Sequence, residues 1–188
     1  IEGKVSAVRW AYENDVLFVG LCLGMQCAAI EFARSVCNLG EANSSEFAPD
    51  TPHAVIDLLP EQRGQDKLGG TMRLGAERCL LEPGSVARKA YGVAEVLERH
   101  RHRWEFNNDY RETFKKNGMR ISGLNPERDL VEVMELPAPT CAAPAPFHPE
   151  LRSRPNRPHP LFHAFIQAAL QVEAGRNSDS SAVSAVQP

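Results

Sequence analysis

The chain has 188 residues, a formal net charge of -3 and 43% hydrophobic residues, a balance that suits one soluble globular domain with a proper core. So small a charge argues against nucleic acid, DNA or RNA, or a membrane surface as the main partner, and no apolar run is long enough to span a bilayer. Five cysteines without C-x-x-C spacing argue against a disulfide framework or a structural zinc site and suit a reducing, cytoplasmic setting.

In chain order, Val5, Val8, Ala11 and Tyr12 recur at helical spacing and predict an amphipathic helix over 4–13. The chain opens on Ile1-Glu2-Gly3-Lys4 without an initiator methionine, and the expectation is a piece of something longer. Val16-Leu17-Phe18-Val19 reads as a buried parallel strand running into Gly20-Leu21-Cys22-Leu23-Gly24-Met25-Gln26, and a second helix is expected over 25–38, ended by Gly40. Helix, strand, turn and helix in that order are α/β grammar. A polar loop at 41–47 precedes a strand over 54–59 ended by Pro60, then a glycine- and charge-rich connection from Gly64 to Gly70. Residues 71–75 and 78–81 read as two short paired strands, and Ser85 as the cap of a brief helix to Tyr91. The alternating run 98–107 suits an extended segment, 110–116 a helix, and 119–123 with 130–136 a hairpin across Asn125-Pro126-Glu127. Residues 137–149, dominated by Pro and Ala, do not read as a good strand. A final amphipathic helix is expected over 161–172, with 173–188 as a disordered tail, so that the domain occupies 1–172.

Chemistry concentrates on Cys22, held two residues from a glycine on either side. A nucleophile on a tight strand-to-helix turn needs neighbours without bulky side chains, and the following helix would aim its free amides and positive end at the sulfur, favouring the thiolate. The competing reading of the same stretch is a small buried turn cysteine. A thiol nucleophile needs a base, and that base needs a partner to set its tautomer. His148-Pro149-Glu150 offers both, because residues two apart in an extended segment project to one side, and together with Cys22 they complete a Cys-His-Glu triad. His100 and His102 lie among arginines and are either solvated or in contact with an anionic ligand. His53, His159 and His163 are expected to do no chemistry, Cys27, Cys37 and Cys79 to be small core residues, and no spacing supports a metal site.

GLCLGMQ with a later HPE resembles the class I glutamine amidotransferases, and ANSSEF, KLGGTMRLG, ERHRHRWEFNN and HPELRSRPNRPHPLF narrow the resemblance to the CTP synthase family. It covers most of residues 1–172 and implies an N-terminally truncated three-layer, flavodoxin-like class I amidotransferase fold. It also implies that Cys22 attacks the side-chain amide of glutamine, that His148 is the acid/base and Glu150 its orienter, that the Leu23 amide is an oxyanion donor, and that Gln26, Glu46 and Arg103 hold the substrate. An anion and a cation suit the α-ammonium and α-carboxylate of free L-glutamine. By the same resemblance the ammonia passes to a synthetase domain outside this stretch, which uses ATP, UTP and Mg with GTP as activator. The whole enzyme is expected to be a homo-oligomer, and no cofactor is expected within 1–172.

Two departures from the family's pattern are visible. The glycine-rich loop that supplies a second oxyanion donor precedes the residues present, and the apolar strand leading into HPE is replaced at equal length by Ala138-Pro139-Thr140-Cys141-Ala142-Ala143-Pro144-Ala145-Pro146. Alternative readings are therefore a free-standing glutaminase or a catalytically inactive binding module.

Overall fold

A computed structural model describes residues 1–59, 72–136 and 143–184, with 175–184 described by backbone alone. Pro60, the connection from Gly64 to Gly70, residues 138–142 of the Pro/Ala stretch and residues 185–188 lie outside the described residues.

The helices are α1 (Glu2–Glu13), α2 (Leu23–Ser35), α3 (Val86–Tyr91), α4 (Arg111–Lys116) and α5 (Pro160–Ser184). The strands are β1 (Asn43–Ser44), β2 (Ala54–Asp57), β3 (Arg73–Leu81), β4 (Glu95–His102), β5 (Glu105–Phe106), β6 (Arg120–Leu124) and β7 (Val131–Glu135). One sheet runs β1-β2-β5, with β1 and β2 parallel, and the other runs β4-β3-β6-β7, antiparallel throughout.

Periodicity places α1 as expected: Val5, Val8 and Ala11 are buried and the helix packs on α2, although Tyr12 stays exposed. α2 is buried from Met25 to Ala33 and closes the main core over Val55, Ile56, Phe106 and Phe114. It stops at Ser35, before Gly40, and the left-handed residue after it is Asn38, with φ 58°. A second core gathers Cys79, Leu81, Val133, Ala145, Phe147 and Leu161. α3 is capped as expected, the Ser85 hydroxyl accepting from the Arg88 amide at 3.0 Å. In the β6–β7 turn, Asn125 Oδ1 accepts from the amides of Glu127 and Arg128, both at 3.0 Å.

Three elements differ from expectation. Residues 73–81 form one strand rather than two, because the partner is the full length of β4 and its pairing register runs unbroken from Arg73 to Leu80. α5 runs on to Ser184, so the backbone of 173–184 is helical where a disordered tail was expected. A helix already nucleated on the buried Leu161 gains one hydrogen bond for each residue added.

The third difference matters most for function. Val16–Val19 is no regular strand; among the described residues, pairing in this stretch is an isolated bridge at Phe18 and one between Leu21 and Ala145. The partner segment contains Pro144 and Pro146, which have no N–H. Ala145 donates its amide to the Gly20 carbonyl at 2.9 Å and accepts from the Cys22 amide at 2.9 Å, while Pro144 accepts from the Met134 amide on the other side at 3.0 Å. Both backbone groups of one strand residue point the same way, so the donors lost at the prolines face β7. Ala145 keeps its pair for the turn that carries Cys22.

Candidate active site

Cys22 adopts φ 49° and ψ -111°, a strained conformation for a residue with a side chain, at the entry to α2. Gly20 makes the turn possible: a Cβ there would stand 2.6 Å from the carbonyl carbon and oxygen of Gly24. A Cβ at Gly24 would meet nothing within 4 Å, so of the two flanking glycines only Gly20 is required by close approach.

Burial pushes the Cys22 thiol above its ordinary range; the Leu23 amide, hydrogen-bonded to the sulfur, pulls it down, and the charges of Glu150, Glu105 and Glu46 push it up again. The helix end favours the thiolate as expected, through the Leu23 amide, but desolvation outweighs it. The resting form is the protonated thiol, and a base has to take its proton.

His148 is placed by its backbone, whose amide donates to the Arg99 carbonyl of β4 at 2.8 Å, and by Pro149, which opens a short 3₁₀ turn. Its Nδ1 lies 2.6 Å from Glu150 Oε1, so Nδ1 is the protonated nitrogen and Nε2 the basic one. Nε2 is buried and has no hydrogen-bond partner among the described residues. The His148–Glu150 half of the triad is thus assembled, while the hydrogen bond from Cys22 that would close it is not made. The Leu21–Ala145 bridge brings the two halves to neighbouring chain segments.

Gln26, one turn into α2, is buried and donates its Nε2 to the Trp104 carbonyl at 3.2 Å. The Arg103 guanidinium stands 5.7 Å from the centre of the Trp104 ring. Glu46, on the loop after β1, is pushed up by partial burial and pulled down by Arg103, so the two charges lie within reach of each other. A carboxylate and a guanidinium so placed suit a ligand that carries both a cation and an anion.

Sequence reasoning missed a buried ionic cluster beside this wall. Arg73 Nη2 lies 2.5 Å from Glu132 and 2.8 Å from Glu77, and its Nη1 lies 3.2 Å from Glu105. His100 and His102 are buried in the same cluster, which corrects the expectation that they are solvated or bind an anion. The signal was present in the alternation of 98–102, where Glu98, His100 and His102 turn inward and Arg99 and Arg101 outward. His159, expected to be idle, is likewise buried and sits 2.9 Å from Glu98. Cys27 and Cys79 are fully buried and Cys37 partly so, as expected of core thiols. Among the described residues no group of three or more His, Cys, Asp or Glu is arranged to hold a metal ion, and no helix is long and apolar enough to cross a membrane.

The chain belongs to the class-I glutamine amidotransferases, whose family model matches residues 1–168. It is 57% identical over 171 residues to CTP synthase of Carboxydothermus hydrogenoformans and 57% identical over 172 residues to that of Dehalococcoides mccartyi. These matches cover 91% and 92% of this chain but 32% of each relative, so the chain spans about a third of their length. The glutaminase domain of Trypanosoma brucei CTPS, solved with bound acivicin, matches with a TM-score of 0.84 at 36% identity, over 90% of this chain and 66% of that one. The architecture is accordingly the mixed α/β class I glutamine amidotransferase fold.

Proposed function

We propose that the chain hydrolyses glutamine at Cys22 to supply ammonia, as the glutaminase part of a CTP synthase. The observation that carries the reading is a strained, glycine-backed Cys22 on a chain segment neighbouring that of His148, whose Nδ1 is committed to Glu150 and whose Nε2 has no hydrogen-bond partner among the described residues. His148 Nε2 takes the thiol proton as Cys22 Sγ attacks the side-chain carbonyl carbon, and the Leu23 amide stabilises the oxyanion. The same proton passes to the leaving nitrogen and ammonia departs, leaving a γ-glutamyl thioester. Water, deprotonated by His148, then attacks the thioester; glutamate leaves and the sulfur regains its proton. Glu46 and Arg103 hold the α-ammonium and α-carboxylate, and Gln26 buttresses the wall between them.

The names of the relatives support a wider reading, in which this ammonia serves the amination of UTP to CTP in a synthetase part; ATP and Mg, GTP as activator, a homo-oligomeric assembly and a cytoplasmic setting enter the proposal by the family resemblance alone. The test is release of glutamate and ammonia in equal amounts from glutamine, with interception of the thioester by hydroxylamine as γ-glutamyl hydroxamate. Equal background from the native chain and Cys22→Ser would overturn the reading.

A further inference from the structure

The inward face of β4 carries a series of hydrogen bonds whose direction is set from one end. The Trp104 carbonyl can only accept, and its donors are Gln26 Nε2 at 3.2 Å and His102 Nδ1 at 3.1 Å. His102 Nδ1 therefore carries a hydrogen, and its other neighbour, Glu105 Oε1 at 3.3 Å, can accept as well. Burial and the nearby Arg73 charge push His102 down to about 4, so the ring is neutral and its Nε2 is a lone pair. His100 Nδ1, at 2.9 Å, must donate to that lone pair. Burial and Arg73 push His100 down further, to about 2, so its own Nε2 is a lone pair too. It faces Glu132 Oε2 at 3.2 Å, and neither atom has a hydrogen-bond partner elsewhere among the described residues. Two lone pairs at that distance repel, whereas a proton on the carboxyl oxygen makes the contact a hydrogen bond.

With both histidines neutral, charge balance calls for the same proton. One guanidinium, Arg73, faces Glu77, Glu105 and Glu132. Against its partial burial, Glu77 is drawn below its ordinary range by Arg73 and stays ionised. Burial pushes Glu105 to about 8 and Glu132 to about 7 despite the same Arg73. Three ionised carboxylates would leave two charges uncompensated in the interior; protons on Glu105 and Glu132 remove both.

We propose that Glu132 donates a proton to His100, and that the one-way relay Glu132–His100–His102–Trp104 makes the two histidines positioning residues for the glutamine site. They hold the Trp104 carbonyl where it fixes Gln26 and, one residue upstream, Arg103. The His100 ring also packs in a T-shaped arrangement against Phe147, the residue before His148, with ring centres 5.8 Å apart. The positioning half rests on the glutaminase reading; the proton assignment does not.

The experiment is long-range proton–nitrogen correlation NMR on the full chain labelled with ring-15N histidine. At neutral pH both His100 and His102 should show the neutral pattern protonated at Nδ1. An imidazolium pattern at His100, or an Nε2–H pattern at either ring, overturns the assignment. Glu132→Gln places an amide N–H where the carboxyl proton is assigned, so it should keep both patterns and hold the glutamine KM within about twofold. Glu132→Leu removes the donor and should raise that KM by about tenfold with kcat nearly unchanged, the worth of one buried hydrogen bond. Equal KM in the two variants overturns the positioning role, and loss of the native patterns in Glu132→Gln overturns the relay even where Glu132→Leu fails to fold. Because the spectra need no turnover, a chain that hydrolyses no glutamine would count against the proposed function and leave the relay to be judged on the spectra.

Discussion

The surroundings of Cys22 and of Arg73 handle polar groups in opposite ways. At Cys22 the backbone is strained, Glu150 is half exposed, and His148 Nε2 has no hydrogen-bond partner among the described residues. Around Arg73 the guanidinium is satisfied by three carboxyl groups drawn from β3, β5 and β7, and the residue is 2% exposed. The first region keeps bonding capacity open for a ligand; the second uses its capacity to lock strands together. Side chains alike in chemistry thus divide into a reactive set and a structural set, according to whether a partner is already in place.

Substitutions should separate the two regions. The largest effect is expected for Cys22→Ser, which should lower glutamate release by about four to six orders of magnitude while leaving the urea midpoint unchanged. A shifted midpoint would show that the thiol is also structural. Arg73→Leu should do the reverse in kind, costing about 3–5 kcal/mol by stranding buried carboxyl groups, as read from urea unfolding. A loss below about 1 kcal/mol would mean that the cluster does not hold the strands. Gly20→Ala touches both regions' concerns at once: its Cβ meets backbone at 2.6 Å, so a loss of about 1–3 kcal/mol is expected together with reduced turnover. Native stability with full activity would remove the steric argument for the turn.

The smallest effect is a pH dependence. His100 and His102 have folded pKa values depressed to about 2 and about 4 from 6.5, so they bind fewer protons folded than unfolded, and stability rises with pH up to about 6.5. Glu105 and Glu132 are raised from 4.5 to about 8 and about 7, so they hold protons that the unfolded chain has released, and stability falls as pH rises towards 8. Between pH 6.5 and 8 the carboxyl groups outweigh the last of the histidine titration in the unfolded chain, and the unfolding free energy should fall by on the order of 1 kcal/mol. Glu105→Gln should flatten that slope; an unchanged slope would place the titration elsewhere.

Much of the fold was legible because its signals are local. The spacing of Val5, Val8 and Ala11, the Ser85 cap and the Asn125 turn each need only a few neighbouring residues, and each appears where expected. The candidate site was legible in part. His148 and Glu150 are two residues apart and meet as read, whereas the juxtaposition of their segment with that of Cys22 depends on the bridge between Leu21 and Ala145, which no local pattern announces. The strand expected at 16–19 failed for the same reason, since strand formation is decided by the partner.

The amino-acid sequence by itself determined the helices, the nucleophile turn and the identity of the residues that could react, since those follow from periodicity, glycine placement and side-chain chemistry. Only the tertiary structure decided that Gly20 rather than Gly24 is sterically required, that Pro144 and Pro146 spare the side facing Cys22, that the resting thiol is protonated, and that His100 and His102 face a carboxylate cluster. Each of those depends on desolvation or on an approach between segments far apart in the chain, and neither quantity is set until the chain has folded.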